Sequence, residues 1–506
     1  MTCGIMRIML VPSIALLVCF VSCCVGRTAE EWKTRVVYQI VIDRFAHTSE
    51  SPARQCTDTS RYCGGTLKGI ERNLDYITNL GANAILISPF VLNTNSSNSA
   101  GYHGKWPLDI YTINPSFGSS QDMAELVSAC HERDVWVMAD LIIRHMGYLD
   151  GCSPSLCTQP DEDSFSKFTP FDQLDHYVDY SEWGTRDYLP KLNHTNSFVR
   201  TTLINWIQSL VSDYDFDGFR ISDIDDIPIE FLEELNNAVD VFIIGQASTE
   251  ITEAAELASY QSILDAVFAN NMYDALDNFF RNSKDGDGYY LIPDRLSLGQ
   301  GLFKDASILG GYIGNDVVGR FLSKDDDFTE LRGALAYLLM ADWIPFIYYG
   351  TEQGRDFESS DGHESLWPYY VQERNVYKFI STILEHRRNL FGTSVSGYQG
   401  VEHVECTYYR GVYSFARKST FVIITNGRYN SQPDGHLIRR HPFEKETVLT
   451  NIFDPTDIVT VQDNGTFRVN LENHEPKIYS GGSNLSQGLV FVLAMGAIFY
   501  HLFTRL

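Results

Sequence analysis

Between residues 36 and 349, short apolar runs rich in β-branched residues alternate with longer amphipathic stretches. The runs fall at 36–40 (VVYQI), 84–87 (AILI), 135–139 (VWVMA), 217–223 (DGFRISD), 241–244 (VFII), 266–268 (AVF), 308–313 (ILGGYI) and 344–348 (IPFIY). Each is too short for a stable helix, and all but the 217–223 run, which carries a fixed Arg and polar ends, are too uniformly apolar for a strand with one face in water, so each reads as a buried strand. Strands of this kind, separated by helical stretches, predict an α/β chain folded as a parallel (β/α)8 TIM barrel.

Two regions break the alternation. Residues 146–193 follow the third strand and are rich in Asp, Ser, Pro and Tyr without helical period, which predicts an inserted subdomain. Beyond a helix ending near Asn389 the pattern changes to short alternating strands such as 412–416 and 421–424, which predicts a C-terminal antiparallel β domain over 393–480. The barrel itself is expected over 27–392.

The ends read as processing signals. Residues 1–26 combine a short basic start, an apolar run and small residues up to Gly26, as in a secretory signal peptide, with a retained anchor as the alternative. Residues 481–506 begin at the small-residue run Ser480, Gly481, Gly482 and end in an apolar segment, as in a GPI-attachment signal. A retained spanning helix is the other reading. Both place the body in the secretory pathway and at the outer cell surface. Three sequons, at Asn95, Asn193 and Asn464, are compatible with that route. In an oxidising compartment Cys56 and Cys63 are expected to close a small loop. Cys152 and Cys157 could do likewise, Cys130 reads as a buried thiol, and no cysteine spacing suggests zinc. A formal net charge of −26 disfavours nucleic acid and anionic membrane surfaces as partners.

Candidate chemistry centres on residues 217–223, a strand that would deliver Ser222 to the C-terminal rim of the barrel, where such folds keep their reacting groups. Together with VYQ at 37–39, DRF at 43–45, YCGGT at 62–66, GYHGKW at 101–106, DIY at 109–111, HER at 131–133, DLIIRHMG at 140–147 and GTEQ at 350–353, this stretch resembles the α-amylase family of retaining glycoside hydrolases, most closely the secreted and GPI-anchored fungal α-amylases. The resemblance implies three carboxyl groups: a nucleophile after strand four, a general acid/base after strand five and a third aspartate after strand seven. Those positions fall on Ser222, Gln246 and Val317, with Asp223 and Asp316 as displaced candidates one residue away. A step of one residue along a strand turns a side chain to the other face, so Asp223 is expected to point away from the barrel mouth.

The family's calcium positions fall on Arg144 and Lys191, so no cofactor is expected; fixed positive charge would replace the ion, paired with Asp225 or Asp226. His103, Trp106, His145 and Arg220 match sugar-facing residues, Lys105 stands where the fungal enzymes carry an aromatic, and His363 where they carry an arginine. The expectation is a cell-surface α-amylase-like protein, impaired in catalysis, that binds α-glucan or a protein partner in a cell-wall or spore-wall setting. A hydrolase or transglycosylase using the displaced carboxylates, and a surface receptor without a glycan role, are the alternatives.

Overall fold

The apolar runs become strands β1 (Val37–Ile40), β2 (Ala84–Ile87), β5 (Trp136–Leu141), β6 (Gly218–Ser222), β7 (Phe242–Gln246), β8 (Ala266–Val267), β9 (Gly310–Gly311) and β10 (Ile344–Tyr348). The computed structural model describes residues 26–48, 56–95, 100–147, 167–178, 189–281, 290–299, 301–324, 326–354, 364–367, 370–401, 403–409, 411–426 and 435–481. The strands are parallel and hydrogen-bonded in the order β8-β7-β6-β5-β2-β1-β10-β9. A parallel bridge from Phe268 to Gly310, with the Ala269 N–H donating to the Gly310 carbonyl at 2.9 Å, closes the ring. The seventh strand is shorter than the 308–313 run suggested, because residues 306–308 turn as a 3-10 helix. Trp343 then packs so close to Gly311 that a Cβ there would lie 2.3 Å from its ring.

Alternation along each strand sorts side chains into barrel interior and helix-facing layer. Val37, Ala84, Leu86, Trp136, Met138, Phe242, Ile244, Ala266, Phe268, Ile344 and Phe346 form one buried interior cluster. Trp32 plugs its lower end, stacked on Phe242 with centroids 5.1 Å apart and edge-on to Trp136 at 5.2 Å. The same parity assigns Asp140 on β5, Arg220 and Ser222 on β6 and Gln246 on β7 to the interior, one layer higher at the mouth.

One insertion escaped the pattern. After β2 the chain forms an antiparallel pair, β3 (Val91–Asn93) and β4 (Pro107–Ile113). β3 has three residues and the pairing is irregular, so neither strand shows a clean alternation. The described parts of the 146–193 segment dock on this pair and on one another: Thr169 bridges Asp109, Tyr177 pairs with Leu192, and His145 pairs with Lys191.

The last strands form a six-stranded antiparallel sheet that includes Thr420–Thr425, Val448–Asn451 and Lys477–Gly481 around Phe421, Ile423, Leu449, Phe467 and Tyr479. Ser480 pairs with Thr420 and Thr450, and Gly481 with Leu449, so these two residues are strand residues of the sheet. Gly482, the rest of the tail, residues 1–25, His363, Cys152 and Cys157 lie outside the described residues. Cys56 and Cys63 are bonded, and Cys130 and Cys406 are buried free thiols. Among the described residues no helix is long and apolar enough to cross a membrane.

Candidate active site

At the barrel mouth a single guanidinium organises the site. Arg220 is fully buried; its Nε donates to Asp140 Oδ1 at 3.2 Å, and its Nη2 lies 3.0 Å from Asp140 Oδ2. The register explains the contact, since Asp140 and Arg220 are Cα partners on β5 and β6. On its other side Arg220 donates through Nη1 and Nη2 to the two carboxylate oxygens of Asp316, at 3.1 and 3.0 Å. A planar fork between two carboxylates is geometry that arginine meets and lysine does not.

Asp316 reaches the centre because of a local turn. Buried Asn315 accepts the backbone N–H groups of Val317 and Val318 at 2.8 and 2.9 Å, a tight side-chain turn that follows β9. The turn directs Asp316 inward and leaves Val317 51% exposed. Asp316 also accepts from Gln39 Nε2 at 2.6 Å, and its Oδ2 lies 2.7 Å from Lys105 Nζ. Lys105 comes from the loop between β3 and β4 on the facing wall, so the ion pair spans the mouth. Burial disfavours the Asp316 charge, yet Arg220 and Lys105 outweigh it and hold the carboxyl well below the usual range. Burial pushes Asp140 up, against the pull of Arg220. The cluster of Asp140, Arg220, Asp316 and Lys105 balances two charges of each sign.

Ser222 and Gln246 end their strands side by side as Cα partners. The Ser222 hydroxyl donates to Asp140 Oδ1 at 3.2 Å and lies 3.4 Å from Arg220 Nη2. The amide of Gln246 has a fixed orientation: Nε2 donates to the Ala247 carbonyl at 3.2 Å and to Asn270 Oδ1 at 3.1 Å. Asn270 is fixed in turn, because its Nδ2 donates to the carbonyls of Ala247, Ser248 and Ile251 while its Oδ1 also accepts from the Tyr312 hydroxyl. Among the described residues Gln246 Oε1 is a buried acceptor that no donor reaches.

Asp223, next after Ser222, adopts a left-handed φ of 55° and turns outward, its side chain 43% exposed and Oδ2 3.6 Å from Arg144 Nη1. Of the sugar-facing candidates, His103 and Trp106 meet edge-on with centroids 4.4 Å apart. Their loop is anchored by the Trp106 N–H donating to Asn93 Oδ1 at 2.6 Å, and by the Arg44 guanidinium lying 3.7 Å from the Tyr102 ring. His145 is buried, with Nδ1 3.0 Å from the Met146 carbonyl.

The family model for the α-amylase catalytic domain matches residues 39–379. The chain belongs to the α-amylase family. This α-amylase homologue is 33% identical over 397 residues to α-amylase 2 of Schizosaccharomyces pombe, covering 74% of this chain and 66% of that one. It is 30% identical over 373 residues to the α-amylase of Saccharomycopsis fibuligera, covering 70% and 73% of the two chains. The fold matches the solved α-amylase of Malbranchea cinnamomea with a TM-score of 0.80 at 24% identity, over 91% of this chain and all of that one.

The family's calcium does not fit this homologue. Its expected positions carry the cations Arg144 and Lys191, where a divalent ion needs oxygen ligands. Among the described residues no group of three or more His, Cys, Asp or Glu side chains converges as a metal site. Of the two acids expected to pair with these cations, Asp226 does so, and Asp225 accepts the Ser248 N–H at 2.8 Å. Sequence reasoning missed Gln39, which strand parity alone could have placed inside. It also missed Asn270, for which no local signal exists.

Proposed function

We propose that this protein is an α-glucan-binding member of the α-amylase family without hydrolytic turnover, held at the outer cell surface by its C-terminal segment. One observation carries the reading: Asp316, a buried carboxylate at the mouth, is bound by both Arg220 and Lys105, while the ends of β6 and β7 present a hydroxyl and an amide. A retaining glycosidase needs an anionic nucleophile and a titratable acid about 5–5.5 Å apart. The Ser222 hydroxyl donates to Asp140, a carboxylate whose basicity is reduced by its pairing with Arg220, and among the described residues no histidine is hydrogen-bonded to it as in a serine nucleophile's triad. Gln246 cannot give up a proton as an acid does. Asp223 faces Arg144 rather than the mouth.

The glucan half of the proposal is supported by the family and by a solved relative of the same fold, the Geobacillus thermoleovorans α-amylase, which was crystallised with acarbose (TM-score 0.70, 22% identity). Trp106 is half-buried at the mouth and offers an indole to a sugar ring. Replacing Trp106 with Ala is expected to weaken maltoheptaose binding by about tenfold, equivalent to ~1.4 kcal/mol. Calorimetric titration checks this; wild-type protein that ignores maltoheptaose would remove the glucan half. For the tether, release of the protein from intact cells by a phosphatidylinositol-specific phospholipase is the expected result, and a protein released only by detergent would point to a spanning helix instead.

A further inference from the structure

We infer that Arg144 and Lys191 take over the structural work of a divalent cation in this protein, so that its fold is metal-independent and held at this point by a charge cluster of its own. Four side chains from three segments meet here. Arg144 follows β5, Lys191 lies at the end of the inserted segment, and Asp223 and Asp226 flank the short turn after β6. Arg144 Nη2 lies 2.8 Å from Asp226 Oδ2 and its Nη1 3.6 Å from Asp223 Oδ2; Lys191 Nζ lies 3.6 Å from Asp226 Oδ1. The Arg144 side chain is 12% exposed, shielded enough for its charge to act at short range with little screening.

The backbone around the cluster ties two of these segments, the one after β5 and the end of the inserted segment, directly together. The Leu192 N–H donates to the Arg144 carbonyl at 2.8 Å, the Met146 N–H to the Pro190 carbonyl at 2.9 Å, and His194 Nε2 lies 2.9 Å from the Ile143 carbonyl. A divalent ion joins segments by drawing carboxylates and carbonyls onto one positive centre. Here two positive centres are supplied by the chain and, among the described residues, they meet the carboxylates of Asp223 and Asp226. A divalent cation brought to this place would face two fixed cations within the same shell, and binding would require displacing both.

The purified protein is melted in about 5 mM EDTA and in about 5 mM calcium chloride, alongside the variants R144M, R144K and D226N. The wild-type midpoints are expected to agree within about 1 °C, because a ligand that does not bind the native state does not stabilise it. R144M is expected to lower the midpoint by about 3 °C or more in both buffers, R144K by less, and the double variant R144M/D226N by no more than R144M alone, since the two residues act through one interaction. A wild-type midpoint raised by more than about 5 °C in calcium would overturn the inference, as would R144M and D226N effects that simply add. Should R144M fail to accumulate, the R144K and D226N melts carry the same comparison. None of these outcomes depends on whether the barrel mouth binds or cleaves a glucan.

Discussion

Replacing Arg220 with Met is expected to be the most damaging single substitution at the barrel mouth, costing about 3–5 kcal/mol of stability. The side chain is fully buried and its guanidinium is the shared partner of Asp140 and Asp316, both buried carboxylates. Without it Asp140 keeps only the hydroxyl of Ser222 among these contacts, and Asp316 keeps Gln39 and Lys105. A buried carboxylate stripped of its cation must either stay charged at high cost or take up a proton. Two such groups are left facing each other across the space of one guanidinium. The triple variant D140N/R220M/D316N removes the uncompensated charge and is expected to recover most of the loss. Thermal or urea melts of the single and triple variants measure this, and an R220M protein within about 1 kcal/mol of wild type would contradict the picture of Arg220 as the organiser of the mouth.

The second large effect is a gain. The double replacement S222D/Q246E is expected to raise starch hydrolysis to at least about 100-fold above the protein-free control, the lower end of what positioned acid–base groups supply. Ser222 and Gln246 are Cα partners on adjacent parallel strands, whose spacing of about 4.8 Å sets a carboxyl separation close to the 5–5.5 Å a retaining mechanism needs. An aspartate at 222 would lie within reach of Arg220, which favours the ionised form, with Asp140 on its other side opposing it. A glutamate at 246 would face Asn270 Oδ1, an oxygen held there by three backbone carbonyls bonded to the other end of the same amide. Only a protonated carboxyl can donate to that oxygen, so the environment favours the acid form of Glu, the state a general acid requires. Reducing-end release from soluble starch by the two single variants and the double variant is the measurement. An inactive double variant that folds normally would mean that the cleft has lost more than its reacting groups, with the Lys105–Asp316 pair across the mouth the first suspect.

The barrel was legible because its signal is local. Most of the buried strands are short, largely apolar runs, and the residue two places after Arg220 must share its face, which brings Ser222 inside and sends Asp223 out. Gln246 follows by the same rule on the next strand. Where the loops decide, sequence alone went less far. Aligning residues 315–317 without gaps put Val317 in the third position, but the orientation is set by the Asn315 side-chain turn, which exposes Val317 and buries Asp316. The Lys105–Asp316 pair joins residues 211 positions apart, and nothing near either one announces the other. The same holds for Asn270 beneath Gln246. The pairing of Arg144 with Asp226 rather than Asp225 was open in the sequence, because adjacent residues in a short 3-10 turn point in different directions and only the packed turn fixes which one faces the cation.

The central claim, a family fold whose mouth binds without cleaving, is tested most directly by starch hydrolysis with the unmodified protein under the conditions used for S222D/Q246E. The expected result is no release of reducing ends above the protein-free control over many hours at micromolar protein. Turnover by the unmodified chain that disappears in D316N or D223N would contradict the claim, and would make the displaced carboxylates the working groups of an enzyme.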